Sequence, residues 1–510
     1  MADPSPPPLG IAVKKNPGQT GAVNVRSRGG PGGTNTRGAV FHERHSYWSS
    51  FGANVALGDM GSTWVLGYFV SNPSTLSEAP RSILWSVAAD DIFSATLVRH
   101  PDVTNVFDVG QDITTRSGYE NTVKIVGMSK EENLSQPGTG SLWSVDSSGN
   151  VSGTILVNPD WDSYSDMRIA WNTVDDVWIS SARTTSADRA TVLRVVGSTG
   201  EVSSTHLDAT GSDYFNEIGF GGPTLNPSGT PYFPGRFIPG DHGPDYASTG
   251  SLWRVDYMSF EVSSSILPAV TSSQLNSQAF IADTLGYNVV AVGTYDVPGV
   301  YTQCALWYLD VVTGDINAVS MSIPEADPGN DFYPHTLDVD GVHSLARSVG
   351  SFNTSGEPRT AVMTVGGSPF VSGTILSAGD QTYPQAAAMD SSDGTLWVLG
   401  SVEGAFAASP VNFLWRMDGT TSEVTRTELS YPAGIDVPVG TDLVVRDDST
   451  VVVVGYAKDT TARKYGRTAN NRIMAAGPEA GHVMIMWRVD ATGTETSALV
   501  LPPVLAGTGT

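Results

Sequence analysis

Short runs of alternating apolar and polar residues recur along most of this chain and predict β-strands. The runs are rich in Val, Ile, Thr and aromatic residues, as in 63–69, 288–294 and 451–456. Alternation of this kind buries one face of a strand and leaves the other face polar. Turn sequences such as 338–341 and 390–394 precede several of the runs. The pattern therefore predicts an all-β protein built from hairpins.

A longer phrase repeats on top of this alternation: Leu-Trp, two residues, Asp, a turn and a Val/Ser/Thr-rich strand. The full phrase occupies 141–146 and 251–256, and close variants occupy 305–310, 413–418 and 485–490. Counting weaker copies, its second position falls at 84, 142, 192, 252, 306, 362, 414 and 486, so successive copies lie 50 to 72 residues apart. The third and sixth copies carry Leu193 and Met363 in place of Trp. A period of this length indicates one supersecondary unit per repeat.

Four predicted strands per unit, repeated eight times, resemble a β-propeller. The resemblance covers residues 47–501 and implies about eight four-stranded antiparallel blades, with seven as the alternative count. Neither the kelch double-Gly signature nor the WD40 signature is present, so the resemblance is to the propeller fold in general. It implies that the repeated Trp residues pack between blades. The last unit has its own fourth strand at 496–501, which leaves the N-terminal segment to clasp the ring from outside.

Residues 1–46 differ in composition from the rest of the chain. They are rich in Pro and Gly, show no hydrophobic period, and carry six basic residues against two acidic ones, a local charge of +4. We interpret them as an extended arm, either disordered, lying along its own domain, or docked on a neighbouring subunit. Residues 502–510 form a C-terminal tail. The predicted anchoring residues are Lys14, Lys15, Arg26, Arg28 and Arg37.

Charge and cysteine content restrict the function classes. The net charge of −24 disfavours general nucleic-acid binding, and no apolar run is long enough to enter a membrane as a helix. The first residues lack the features of a Sec signal peptide. Cys304 is the single cysteine, which excludes an intrachain disulfide and predicts an inert buried thiol. A Ser/Thr/Gly-rich, Lys-poor, turn-rich body is typical of proteins that work outside the cell. The missing export signal and disulfides fit virus and phage particles, whose proteins fold in the host cytoplasm, so we expect a virion or another extracellular surface reached without a Sec signal peptide.

The predicted connections alternate between short turns and long loops. In a four-stranded antiparallel blade the second-to-third and fourth-to-first connections emerge on one face, and here these are the long ones, for example 129–140, 237–250 and 402–412. Insertions gathered on one face usually mark the binding face of a repeat protein. The longest, 457–484, carries a local charge of +3 and is either a contact for an acidic partner or a solvated loop.

Several of these loops place carboxylates next to aromatic rings. Sugar recognition uses flat apolar rings together with polar acceptors, so we predict a glycan or protein contact surface, with braced and solvated loops as the alternative. The candidate ligand-binding residues are Asp160, Trp161, Asp162, Tyr164, Asp213, Tyr214, Asp245, Tyr246, Asp331, Tyr333, Asp380 and Tyr383.

Cofactor and enzyme signals are weak. Asp160, Asp162 and Asp166 are spaced like part of a calcium loop but lack its Gly turn and terminal Glu, and 325–331 forms a second acidic loop. No cofactor is therefore predicted, with calcium kept open. The chain contains no Walker A loop, G-x-S-x-G elbow or H-E-x-x-H helix.

We therefore predict a non-enzymatic structural or adhesion protein. The form expected is a virion component, such as a phage tail-tip, fibre or head-decoration protein. Its loop face would contact a host glycan or a neighbouring protein, and its arm would bind other assembly proteins. The alternatives are a carbohydrate-active propeller enzyme (a glycosidase or lyase) that uses acidic loop residues, and an intracellular protein-interaction scaffold.

Overall fold

The computed structural model of the protein describes most of the repeat region and three short N-terminal strands. The described residues are 12–14, 22–26, 36–37, 49–58, 62–70, 81–88, 93–98, 107–116, 122–130, 139–156, 164–172, 175–183, 190–207, 215–218, 222–238, 248–271, 277–285, 288–297, 302–323, 332–340, 344–366, 371–376, 381–403, 411–430, 435–459 and 482–501. These residues contain β-strands and no helix. The predicted all-β class is confirmed.

The strands form eight four-stranded antiparallel blades, which confirms the predicted count. In blades 1 to 4 the strands are β4 (Ser49–Leu57), β5 (Thr63–Val70), β6 (Arg81–Val87), β7 (Phe93–Leu97); β8 (Phe107–Thr115), β9 (Val123–Lys130), β10 (Thr139–Val145), β11 (Val151–Leu156); β12 (Tyr164–Trp171), β13 (Asp176–Arg183), β14 (Thr191–Val196), β15 (Val202–His206); and β16 (Phe215–Ile218), β17 (Thr224–Leu225), β18 (Pro231–Ile238), β19 (Thr249–Val255), β20 (Val262–Ile266). In blade 4 the first position is split, because β16 and β17 both pair with β18.

Blades 5 to 8 repeat the same order. Their strands are β21 (Ser277–Leu285), β22 (Asn288–Asp296), β23 (Thr302–Asp310), β24 (Ile316–Met321); β25 (Tyr333–Asp340), β26 (Leu345–Thr354), β27 (Glu357–Gly366), β28 (Val371–Leu376); β29 (Gln381–Met389), β30 (Leu396–Glu403), β31 (Val411–Met417), β32 (Val424–Glu428); and β33 (Ile435–Val445), β34 (Val451–Asp459), β35 (His482–Val489), β36 (Glu495–Leu501). The first strands of successive blades contact one another, so they are the innermost strands and surround a central channel.

Each junction between neighbouring blades contains its own hydrophobic cluster. Six of the eight clusters are centred on the Trp of the repeated phrase, which confirms that these side chains are structural; they are Trp85, Trp143, Trp253, Trp307, Trp415 and Trp487. Leu193 fills the same position between blades 2 and 3, and Met363 does so between blades 5 and 6. Cys304 is buried in the cluster between blades 5 and 6, as predicted.

The ring closes by packing and hydrogen bonding between blade 8 and blade 1. Blade 8 supplies its own fourth strand, β36, as predicted. One shared cluster joins the two blades, and Arg488 Nη2 donates to the Ala88 carbonyl across the seam (2.8 Å). Three short strands precede blade 1: β1 (Ala12–Lys14), β2 (Ala22–Arg26) and β3 (Thr36–Arg37). Strand β2 pairs with β7 and β3 pairs with β36, so these strands extend the outer edges of the two blades that flank the seam.

The Asp that ends the repeated phrase forms the turn between the third and fourth strands. In blade 5, Asp310 Oδ1 accepts hydrogen bonds from the backbone N–H groups of Val312 (2.8 Å) and Thr313 (3.1 Å). Asp146, Asp256, Asp418 and Asp490 act in the same way in their own blades. Such side-chain-to-backbone bonds fix a tight turn. Much of the regularly spaced acidic charge is therefore structural.

Replacing Asp310 with Ala should lower the free energy of unfolding by about 1 kcal/mol, because two backbone N–H groups lose their acceptor. Asp315→Ala is the matched control, since Asp315 is an exposed residue of the same turn with no hydrogen bond to its carboxylate among the described residues. Thermal unfolding of both variants measures the difference. Equal melting temperatures would contradict the assigned role of Asp310.

Candidate functional site

The innermost strands carry an irregularity that sets which side chains lie along the channel. In blades 2 and 8 the register with the second strand shifts between Gly110 and Asp112 and between Gly440 and Asp442. A Gly of the second strand lies beneath the shift, and a methyl group at Gly127 would collide with the carbonyl oxygen of Val109. The close approach of the two backbones therefore requires glycine. The second strands of blades 5 to 8 have a Gly at the same position, with the same close contact to a carbonyl oxygen of the innermost strand; they are Gly293, Gly350, Gly400 and Gly455.

Acidic side chains that follow this irregularity connect neighbouring blades. Asp442 Oδ2 of blade 8 accepts a hydrogen bond from the Val55 N–H of blade 1 (2.9 Å). Asp112 Oδ2 of blade 2 accepts one from the Ile169 N–H of blade 3 (3.0 Å), while its Oδ1 accepts one from Asn54 Nδ2 (3.2 Å). We call such a carboxylate-to-backbone contact between innermost strands a latch. Each latch satisfies a strand-edge N–H that would otherwise lack a partner.

A third latch lies two residues further along the innermost strands of blades 5 and 6. Asp283 accepts hydrogen bonds from its neighbour, Thr284 N–H (2.7 Å), and from the Val339 N–H of blade 6. Asp338 holds the position of Asp283 in the next blade. Each pairs with the residue of its second strand that lies three positions before the Gly named above, Val290 before Gly293 and Arg347 before Gly350. Unlike Asp283, Asp338 makes no latch to a described residue.

Burial makes these carboxyl groups hard to ionise. Desolvation raises the pKa of Asp283 to about 6 and that of Asp442 to about 7. Desolvation, together with the neighbouring Asp283 charge, raises the pKa of Asp338 to about 8. Desolvation also raises the pKa of Asp112, against the opposing positive charge of Arg168. The channel therefore contains carboxyl groups that are partly protonated near neutral pH.

Two tyrosines lie where the innermost strands of blades 6 and 7 begin, at the channel mouth. Tyr333 and Tyr383 hold equivalent positions, because each pairs with a Ser and precedes a Pro that pairs with Gly. Tyr333 is 43% exposed, and its ring meets His335 edge-on at 5.7 Å between ring centroids. His335 Nε2 lies 3.0 Å from Ser351 Oγ, and burial lowers the pKa of His335.

The strand order places this mouth on the face that carries the longer connections. Residues 460–481 separate β34 from β35, and 322–332 separate β24 from β25, whereas only 286–287 separate β21 from β22. Blade 6 departs from the expected pattern, because β26 and β27 are joined directly through Ser355 and Gly356, both with positive φ (54° and 76°). A two-residue turn of this kind suits the twist of a hairpin. The asymmetry between faces is clear in blades 1, 3, 4, 5 and 8 and slight in blades 2 and 7.

Most of the predicted ligand-binding residues cannot be placed against this geometry. Tyr333 and Tyr383 lie at the mouth, and Tyr164 begins β12, where only its backbone is described. Outside the described residues are Asp160, Trp161, Asp162, Asp213, Tyr214, Asp245, Tyr246, Asp331 and Asp380. Of the predicted anchoring residues, Lys14, Arg26 and Arg37 end their short strands, and Lys15 and Arg28 lie outside the described residues.

We call Asp112, Asp283, Asp338 and Asp442 the channel acids. They were not predicted from the sequence, although the sequence contains a signal for two of them. Gly110-Gln111-Asp112-Ile113 and Gly440-Thr441-Asp442-Leu443 repeat one pattern, and Gly52-Ala53-Asn54-Val55 is its amide variant. The phrase Gly-x-Asp/Asn-aliphatic therefore marks the latch position in three blades. Asp283 and Asp338 follow no such phrase.

Among the described residues, no three His, Cys, Asp or Glu side chains are grouped so that they could hold a metal ion. The two acidic loops considered for calcium lie largely outside that part of the chain. No helix in the described part is long and apolar enough to cross a membrane.

Comparisons with known proteins find chains of similar fold but assign this chain to no family. No protein-family model matches the chain, and no curated protein matches it in sequence. Among solved structures, it is similar to the polysaccharide lyase Uly1 (9% identity, TM-score 0.46, 75% of this chain and 90% of the lyase). It is also similar to the β-propeller domain of the Trilobed protease from Pyrococcus furiosus (10% identity, TM-score 0.42, 76% and 97%) and to a GH74 enzyme of Niastella koreensis (10% identity, TM-score 0.37, 81% and 64%). At these values no activity is carried over.

Proposed function

We propose that this protein is a non-enzymatic recognition protein that binds a glycan at the channel mouth on the long-loop face. The observation that carries the proposal is the pair of tyrosines at equivalent positions of adjacent innermost strands, Tyr333 and Tyr383. Ring faces beside polar groups such as His335 and Gln381 match the mixed apolar and hydroxyl surface of a sugar.

Three of the channel acids serve the fold, which supports a role in binding rather than catalysis for this protein. Asp112, Asp283 and Asp442 already accept backbone hydrogen bonds that hold blades together. A carboxylate engaged in this way is a poor nucleophile or general base, because each oxygen is committed to the fold. The glycosidase or lyase alternative would need acids elsewhere on the loop face.

We also propose that the protein works within an assembly such as a virion, held by residues 1–46. The difference in net charge supports anchoring by this segment, because residues 1–46 have a net charge of +4 and the remaining chain has a net charge of −28 (−24 minus +4). The described strands β2 and β3 lie on the outer edges of blades 1 and 8, away from the innermost strands. Arg26 and Arg37 end these two strands, and Lys14 ends β1, which pairs with β2.

Glycan-array and whole-cell binding by the purified protein would test the function. Tyr333→Ala and Tyr383→Ala should each weaken binding about tenfold, because each removes one stacking surface of roughly 1–1.5 kcal/mol. Met258→Ala is the matched control, since Met258 is 85% exposed in a short turn on the opposite face, and its binding should equal that of the unmodified protein.

Three outcomes would count against the proposal. Undiminished binding by both tyrosine variants would remove the mouth as the binding site. Equal losses in Met258→Ala would indicate a general structural effect. Release of sugar fragments during incubation would favour the enzyme alternative.

A further inference from the structure

Asp338 differs from the three latch acids of the innermost strands. Asp112, Asp283 and Asp442 each accept a backbone N–H from the next blade, whereas Asp338 Oδ2 is shielded from solvent and has no hydrogen-bond partner among the described residues. An ionised carboxylate without a partner in such a place costs several kcal/mol. The shielded and unpaired Oδ2 of this partly buried side chain therefore favours the protonated form.

The pairing of strands shows where Asp338 points. Asp338 lies opposite Arg347, and side chains opposite each other in an antiparallel pair emerge on the same side of the sheet. Arg347 donates to the carbonyl oxygens of Gly394 and Gly419, both in blade 7. Asp338 therefore faces the junction between blades 6 and 7.

Among the described residues, the wall of that junction opposite Asp338 is apolar. Ala387 and Met389 of β29 pack there, and neither ionises. The counterpart of the Asp283 latch would be the Met389 N–H, because Val339, the residue after Asp338, donates to Asp283. Trp415 already fills this junction, so the ring does not depend on a latch here.

Two ionisable groups lie on strands next to Asp338, and one of them, Asp283, acts on its ionisation. Asp283 on β21 lies near enough for its negative charge to oppose ionisation, and Arg347 on β26 is turned to the carbonyls of blade 7. Tyr308 of β23 lies in the cluster on the other side of the sheet, where its hydroxyl donates to the Val365 carbonyl (3.5 Å). Desolvation and Asp283 together place the pKa of Asp338 at about 8.

We propose that Asp338 is a proton-operated switch at the junction of blades 6 and 7, closed while the carboxyl group is protonated and opened toward the channel when it ionises. Opening lets the carboxylate reach water or the Met389 N–H. The moving strand, β25, begins at Tyr333, so the change is transmitted to the channel mouth. The effect on ligand binding rests on the proposed function, whereas the switch itself does not.

Hydrogen exchange of the full-length protein between pH 6.5 and pH 9.5, without ligand, tests the switch. After division by the intrinsic exchange rate, the opening of peptides covering 333–340 and 381–389 should rise up to about tenfold per pH unit above pH 8. Asp338→Asn cannot ionise and should show no such rise. Asp442→Asn is the control and should keep it, because Asp442 lies at the seam between blades 8 and 1.

A rise of equal size in Asp338→Asn, or no rise in the unmodified protein, would overturn the proposal. A second measurement needs no variant. Carbon NMR of labelled Asp carboxyl groups should show one resonance with a midpoint near pH 8, and a spectrum in which every Asp titrates below pH 7.5 would equally overturn it. Because neither experiment contains a glycan, failure of the switch is distinguishable from failure of the proposed function.

Discussion

Replacing Trp487 with Ala is expected to lower the free energy of unfolding by about 4 kcal/mol. The side chain is fully buried between blades 7 and 8, in a cluster with Trp397, Leu414 and Ile485. Its Nε1 donates to the Ser430 carbonyl of the preceding blade (2.8 Å). Removing it leaves a cavity at a junction and breaks the hydrogen bond to the Ser430 carbonyl. Chemical denaturation, monitored by circular dichroism and Trp fluorescence, measures the loss.

A matched pair of milder variants separates the hydrogen bond from the packing. Trp415 occupies the same repeat position between blades 6 and 7, but its buried Nε1 has no partner among the described residues. Trp487→Phe should therefore cost about 1 kcal/mol more than Trp415→Phe. Equal costs would show that the bond to Ser430 adds nothing to stability, and a negligible cost for Trp487→Ala would contradict the structural role of the repeated Trp.

The protein should unfold at a higher temperature at pH 5 than at pH 8. Asp283, Asp338 and Asp442 have folded-state pKa values of about 6, 8 and 7, all above the ordinary value of 3.8. A carboxyl group whose pKa is raised by folding contributes stability that is complete below its unfolded pKa and is lost as the pH rises through its folded pKa. We expect the free energy of unfolding to fall by several kcal/mol between these pH values, because a difference of one pKa unit between the folded and unfolded states is worth about 1.4 kcal/mol.

The carboxylates of the turns limit the stability of the fold at acid pH. Folding lowers the pKa of Asp256 and Asp418 through backbone and side-chain hydrogen bonds at their turns. Their contribution is present above the ordinary value of 3.8 and is lost as the pH falls below it. Stability should therefore be greatest near pH 4–5.

Asp442→Asn tests the alkaline side. The amide cannot ionise, so the variant should start from a lower stability and lose less of it between pH 5 and pH 8. Asp315→Asn, in an exposed turn, should keep the slope of the unmodified protein. Parallel pH curves for Asp442→Asn and the unmodified protein would show that the latch acid does not titrate in this range.

The fold could be predicted from sequence because its main determinants are local and repeated. The Leu-Trp-x-x-Asp phrase contains the buried ring, the strand alternation and the turn-forming Asp together, so eight copies indicated eight blades. Leu193 and Met363 did not hide their units, because the following strand kept its pattern. Each signal depends on neighbours only a few residues away.

The channel site could not be predicted in the same way. Tyr333 and Tyr383 were chosen from their loops, but their equivalence depends on register with Ser351 and Ser401. The role of Asp338 depends on a neighbouring blade, since Asp283 lies 55 positions earlier in the chain (338 minus 283). Long-range relations of this type leave no mark on local composition.

The three latches occur at particular junctions of the ring. One joins blades 2 and 3, where Leu193 replaces Trp, and one joins blades 5 and 6, where Met363 replaces Trp. The third joins blades 8 and 1, which are not consecutive in the chain. Apolar contacts resist separation but tolerate sliding, whereas a hydrogen bond to a defined N–H resists shear. The ring is thus held against shear at three junctions, which are separated by three, three and two blades. These are the junctions at which apolar packing or chain connectivity alone would resist sliding least.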